Sequence, residues 1–312
     1  MDSQVKNRHH PGTHYVVSED IDIIVARWCK GLNLDSPDCD FYAELRSRMK
    51  SFLDSIFSKV TFVSSNEIRQ GLLESIDKCK QTGLTTVCLE RVYLDDSEID
   101  ARIELTRTVT EWGDDVAIHA VRYGTRQKRY QFESLRGKKI ALIDDVVFSG
   151  KTLISTITDL QYYHALTHAV IVAVGVADGI DRLKKTHFGV IGMPDRMSID
   201  CMEEFDHVSD QVCERDFYPG LPYSGRQHAS HNFASFPYIL PFGKPGKWAS
   251  IPEKEVRDFS ILCLDNTITL FREIERINDV VITSAMISRP VFGIPQSDLS
   301  FADVLTEARH SL

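Results

Sequence analysis

Residues 139–152, Lys-Ile-Ala-Leu-Ile-Asp-Asp-Val-Val-Phe-Ser-Gly-Lys-Thr, constrain the fold of this chain more than any other stretch. An aliphatic run ends in two adjacent carboxylates, Asp144 and Asp145, and then turns through a short hydroxyl- and glycine-containing loop. Beyond Gly150, apolar residues fall at Leu153, Ile154, Ile157 and Leu160, the spacing of a helix with one buried stripe. A second unbroken aliphatic run follows at 169–176. Short runs without alternation fit strands covered on both faces. Strand, loop, helix and strand within so few residues predict a βαβ crossover and a parallel sheet. In such sheets ligands sit beyond the carboxyl ends of the strands, which is where 144–152 falls.

The chemistry of the loop narrows the ligand. Paired carboxylates can hold a sugar diol, and a loop feeding a helix N-terminus can hold a phosphate. A ribose 5-phosphate group satisfies both. Ser149-Gly150-Lys151-Thr152 also looks like the tail of a nucleotide-binding P-loop. That loop needs a glycine five residues before the Gly-Lys pair. Here the place is held by Asp145, whose charge would repel a polyphosphate. An ordinary strand-to-helix turn, with acids that merely cap the helix, is the remaining bland alternative.

The segment resembles the phosphoribosyl-pyrophosphate (PRPP) signature of type I phosphoribosyltransferases. Asp144 and Asp145 match its two acids, Val146 and Val147 its aliphatic pair, and Gly150 and Thr152 its glycine and last threonine. Ser149 replaces a threonine, Lys151 sits where purine-salvage members often carry a cation, and Phe148 replaces a small hydroxyl residue. The resemblance implies a three-layer α/β fold with a mainly parallel central sheet. It implies Asp144 and Asp145 on the ribose hydroxyls, and the backbone and side chains of Phe148, Ser149, Gly150, Lys151 and Thr152 around the 5-phosphate. The reaction would be transfer or cleavage at ribose C1 of PRPP or a nucleoside 5'-monophosphate. Mg2+ would enter on the substrate's pyrophosphate, with no side-chain metal ligands assigned. A homodimer is also implied. Two further functions stay open: a nucleotide-binding regulator without catalysis, and a nucleotide-depleting effector of a bacterial antiviral defence system, with a defence partner protein.

Residues 117–121 predict another strand, followed at 122–130 by a stretch carrying Arg122, Arg126, Lys128 and Arg129, cationic in a chain whose net charge is -9. The family's mobile loop lies here, so Arg126, Lys128 and Arg129 become candidates to cover the leaving group; an exposed polar hairpin is the alternative. The family's second pyrophosphate loop should follow the strand at 85–89. Residues 85–112 contain no glycine, and 90–96 hold Glu90, Asp95 and Asp96 against Arg91. Either the cradle is rebuilt around Arg91, or the ligand carries no free pyrophosphate.

The remaining organisation follows from composition. At 312 residues and 43% hydrophobic content, the chain can bury a substantial core. Residues 1–18 are expected to be a loose polar tail, 19–200 the α/β core with N-terminal helices at 21–28 and 41–57, and 201–312 a C-terminal extension packed on that core. Ser65 is a plausible N-cap for a helix through Ile68, Leu72 and Ile76. Val256, Phe259, Cys263, Thr267, Leu270 and Ile274 fit a long amphipathic helix. Between the core and that helix, Arg215, Asp216, Phe217, Tyr218, Tyr223 and Arg226 lie in an aromatic- and proline-rich loop. That loop either grips a base or pins the extension. Seven cysteines without metal-like spacing suggest reduced thiols and a cytoplasmic location. The acidic balance argues against direct nucleic-acid binding, and no apolar run reaches membrane-spanning length.

Overall fold

A computed structural model of the chain describes residues 14–109, 115–121, 127–186, 198–205, 212–213, 226–228, 234–287 and 290–312. Among them the elements run, in chain order, β1 (His14–Glu19), α1 (Ile21–Gly31), α2 (Cys39–Ile56), β2 (Lys59–Ser64), α3 (Ser65–Gln81), β3 (Thr85–Cys88), β4 (Ala101–Arg102), β5 (Leu105–Val109) and β6 (Asp115–Val121). Next come α4 (Lys128–Glu133), β7 (Lys139–Val147), α5 (Lys151–Tyr162), β8 (Leu166–Val176), α6 (Ala177–Thr186) and β9 (Ser198–Phe205). Then follow β10 (Val212–Cys213), β11 (Arg226–His228), β12 (Ser235–Phe236), α7 (Pro245–Trp248), α8 (Val256–Asn278) and α9 (Phe301–His310).

The centre is a five-stranded sheet in the order β4-β3-β7-β8-β9, with every neighbour parallel. Side chains alternate across it, as strand geometry requires. Ala141, Ile143, Ala169 and Ile171 join one hydrophobic cluster, which α1, α2, α3, α8 and α9 also line. Ile140, Leu142, Val170 and Val172 join a second cluster, under α5 and α6. Helix, sheet and helix make three layers, an α/β fold of the expected kind.

The N- and C-terminal parts share the first cluster. Trp28 of α1 meets Phe271 of α8 edge-on at 5.6 Å, and Phe271 meets Phe301 of α9 at 4.9 Å. The Tyr15 hydroxyl donates to the Ala249 carbonyl at 2.7 Å. The expected tail 1–18 is therefore too long. His14–Glu19 is a strand in full parallel register with β2, with Tyr15, Val16 and Val17 buried. The core sheet also runs past the expected boundary at 200, through β9 to Phe205.

Two local expectations move. The cap of α3 is Ser64 rather than Ser65: its hydroxyl accepts from the Glu67 N–H, and Glu67 returns the bond to the Ser64 N–H, a reciprocal capping box. The strand predicted at 117–121 exists as β6, but it pairs antiparallel with β5 in a separate four-stranded sheet. No helix among the described residues is long and apolar enough to cross a membrane.

Candidate functional site

Counted in chain order within the central sheet, the strands lie second, first, third, fourth, fifth. The order reverses between β3 and β7. A crevice opens at such a point because the connections on either side leave toward opposite faces. Asp144 and Asp145 belong to the strand beside that crevice.

β7 is longer than its aliphatic run. Its pairing with β3 ends at Cys88 opposite Ile143, whereas its pairing with β8 continues through Asp144 to Val147. The two acids therefore stand on the strand rather than beyond it, along an edge that β3 has already left. Both are half-buried. The Asp144 carboxylate accepts from the Asp145 N–H at 3.2 Å, and the Asp145 carboxylate from the Val146 N–H at 2.9 Å. These bonds hold each carboxylate against the amide of the residue that follows it.

That loop is fixed by close backbone approach. Gly150 sits at the N-cap of α5 with φ +71, a conformation L side chains resist, and it offers the helix no side-chain cap. Donors in the first turn of a helix lack intrahelical partners and carry the positive end of the macrodipole. A Cβ on Gly150 would lie 2.9 Å from the Gly179 carbonyl oxygen, and one on Gly179 would lie 2.3 Å from the Phe148 carbonyl oxygen. Arg182 of α6 donates to the Ser149 carbonyl. The carbonyls of the turn thus face α6. Phe148, at the place of the expected hydroxyl, packs against the first hydrophobic cluster, so only its backbone is available to a ligand. Lys151 is exposed and, among the described residues, makes no ion pair.

Gly179→Ala should lower the melting temperature by a few degrees, since the forced shift is an overpacking error of about 1–3 kcal/mol. A thermal melt checks this; an unchanged midpoint would mean that α6 does not hold the turn.

The other cationic candidates are placed differently. Lys128 begins α4 and pairs with Asp159 of α5 at 2.7 Å. Asp159 is eight residues beyond Lys151, roughly 12 Å along the helix at 1.5 Å per residue. Lys128 is therefore not brought to the carboxylates. Arg129 pairs with Glu133 on its own helix at 2.9 Å. Arg126, Arg215, Asp216, Phe217, Tyr218 and Tyr223 lie outside the described residues. Arg226 opens β11, beside β12 and β5.

Glu90 is the residue that sequence reasoning passed over. It follows β3 after one intervening residue, Leu89, and is 3% exposed. Its carboxylate accepts three consecutive backbone N–H groups: Val92 at 2.6 Å and Tyr93 at 2.8 Å on Oε2, and Leu94 at 2.9 Å on Oε1. Arg102 donates to the Glu90 and Leu94 carbonyls, and Arg27 to the Arg91 carbonyl. Arg91, offered above as the centre of a rebuilt cradle, pairs with Glu104 at 3.3 Å instead. An acid directly after a strand, with no glycine in the following loop, is the only signal the sequence carries for this arrangement.

Burial raises the Glu90 carboxyl, the Tyr93 N–H opposes that, and the Asp145 charge adds to the rise. The Cys88 thiol is pushed far up by burial first and then by Glu90, so it stays a neutral thiol. A raised carboxyl binds its proton more tightly in the folded chain than in the unfolded one. Stability is then lost as pH climbs from the ordinary value of 4.5 through the raised one. Glu90→Gln removes that titration, so its melting temperature relative to wild type should rise with pH across this window. A gap that stays flat from acid to neutral pH would contradict the assignment.

No protein-family model matches this chain, and no curated protein does. Solved structures similar to parts of it include a hypothetical protein from Neisseria gonorrhoeae with bound ppGpp, at 14% identity and TM-score 0.31, covering 47% of this chain and 82% of that one. An adenine phosphoribosyltransferase from Rhodothermus marinus is similar at 12% identity and TM-score 0.29, over 44% of this chain and 78% of that one. A purine phosphoribosyltransferase from Pyrococcus horikoshii is similar at 11% identity and TM-score 0.28, over 49% of this chain and 91% of that one.

Proposed function

We propose that the chain binds a ribose 5-phosphate group at the end of β7 and acts at ribose C1. The observation that carries this is the juxtaposition of the half-buried Asp144–Asp145 pair with an α5 N-terminus that has no side-chain cap, at the point where the strand order reverses. The diol would lie on the two carboxylates. The 5-phosphate would take backbone N–H groups of 149–152, with Ser149, Thr152 and Lys151 alongside.

Chemistry at C1 asks little of the protein in covalent terms. The C1 bond stretches toward an oxocarbenium-like centre, and the protein lowers the barrier by holding the sugar and placing negative charge nearby. Asp144 and Asp145 supply that charge. Mg2+ would arrive on a ligand's pyrophosphate. Among the described residues no group of three or more acids, histidines or cysteines could hold it, and the N–H groups after β3 are taken by Glu90. These residues do not fit a metal–pyrophosphate, and no step runs through one.

A second reading is favoured by the same observations. With Lys128 paired to Asp159 and the N–H groups after β3 occupied, little is left among the described residues to draw off an anionic leaving group. A nucleotide-binding regulator without turnover would look like this. Calorimetric titration with ribose 5-phosphate and a panel of nucleoside 5'-monophosphates, beside an assay for base release, separates the two. Binding with release points to the enzyme and binding alone to the regulator. Binding of none of these compounds removes both.

A further inference from the structure

We propose that Glu90 determines the ligand class of the site: it excludes a pyrophosphate on ribose C1 and restricts the chain to nucleoside 5'-monophosphates. The inference rests on the ribose 5-phosphate reading above and names which phosphoribosyl compounds that site accepts.

Three successive backbone N–H groups that converge on one point form a nest, and nests hold phosphate-like anions. After β3 such a nest exists, and its anion is part of the chain. Val92, Tyr93 and Leu94 all point at the Glu90 carboxylate, the shortest bond being 2.6 Å. The carbonyl side of the loop is clamped as well, by Arg102 on the Glu90 and Leu94 carbonyls and by Arg27 on the Arg91 carbonyl. Turning the nest outward would break all of these bonds and strip a buried side chain of its partners.

Position makes the occupied nest matter. The Leu89 N–H donates to the Ile143 carbonyl at 2.8 Å, so Glu90 begins its turn directly beside Asp144. A ribose whose 2- and 3-hydroxyls lie on Asp144 and Asp145 carries its C1 substituent next to those carboxylates. On the β3 side that substituent would lie against the turn that Glu90 begins. A pyrophosphate there would join three carboxylates of its own sign and find the local N–H donors already bonded. Among the described residues the nearby guanidinium groups are also committed, Arg102 to Asp96 and two carbonyls, and Arg91 to Glu104. An uncharged base has neither difficulty.

The test titrates the full chain, in excess Mg2+, with ribose 5-phosphate, PRPP and nucleoside 5'-monophosphates, for wild type and Glu90→Gln. The expected wild-type result is measurable binding of ribose 5-phosphate and of at least one monophosphate, with PRPP at least tenfold weaker than ribose 5-phosphate. Glu90→Gln should leave ribose 5-phosphate binding unchanged and narrow the gap to PRPP. Wild-type binding of PRPP as tight as ribose 5-phosphate, or a gap untouched by the substitution, overturns the role of Glu90. Should Glu90→Gln fail to fold, the wild-type comparison decides. Failure of wild type to bind ribose 5-phosphate or any monophosphate is a separate outcome, and it removes the site itself.

Discussion

Replacing both Asp144 and Asp145 with asparagine should weaken nucleoside monophosphate binding by roughly thirty- to a hundredfold. Each carboxylate offers charge-assisted hydrogen bonds to a ribose hydroxyl, worth about 1.5–3 kcal/mol where a neutral acceptor supplies about 0.5–1.5. The difference, about 1–1.5 kcal/mol at each position, sums to roughly 2–3 kcal/mol, and every 1.4 kcal/mol is tenfold in affinity. The fold should survive. Both side chains are half-buried on the strand edge that β3 has left, and asparagine keeps their shape and an acceptor for the Asp145 and Val146 N–H groups. Calorimetry and a thermal melt on the same sample check the pair of statements. Unchanged affinity removes the carboxylates from the site, while collapse of the fold would make them structural.

Phe271→Ala should be the most destabilising single change named here. The ring is fully buried and stands between Trp28 and Phe301, at 5.6 and 4.9 Å. Truncating a buried phenylalanine costs about 3–5 kcal/mol, because apolar contacts vanish and the cavity does not close. At a few degrees per kilocalorie, the melting temperature should fall by about 10 °C. The transition should remain single, since Phe271 belongs to the same cluster as Ile143 and Ile171 of the central sheet. An early melt of the C-terminal helices alone, with the rest unmoved, would show that α8 and α9 form a separable unit.

Much of this architecture is visible in residue patterns, where local spacing and burial agree. Val256, Phe259, Cys263, Thr267, Leu270 and Ile274 predict one helix face, and all six are buried on α8. The run at 169–176 predicts a strand buried on both faces, and β8 divides its residues between the two clusters. Even the cap of α3 was available in Ser64-Ser65-Asn66-Glu67. The acid three residues on selects Ser64, because only that spacing allows the reciprocal bonds.

What the pattern hides is set by partners far along the chain. His14–Glu19 is short and polar at both ends, and its strand identity comes from β2, some 45 residues later. The extension of β7 through its two acids comes from β8: Val172, Val174 and Gly175 supply the pairing that carboxylates would not favour by propensity. Lys128 looks like an anion-handling residue until Asp159, on another helix, is brought to it. Glu90 is hidden for a different reason. Its three N–H partners lie within four residues, but their convergence depends on backbone angles that residue identity at 90–94 does not dictate.

A crystal structure of the chain with a bound nucleoside 5'-monophosphate tests the central claim most directly. The expected result is a phosphate within hydrogen-bond distance of the backbone N–H groups at 149–152, and both ribose hydroxyls on Asp144 and Asp145. A nucleotide held elsewhere, or one lying at the α5 N-terminus with its diol turned away from both carboxylates, would contradict it.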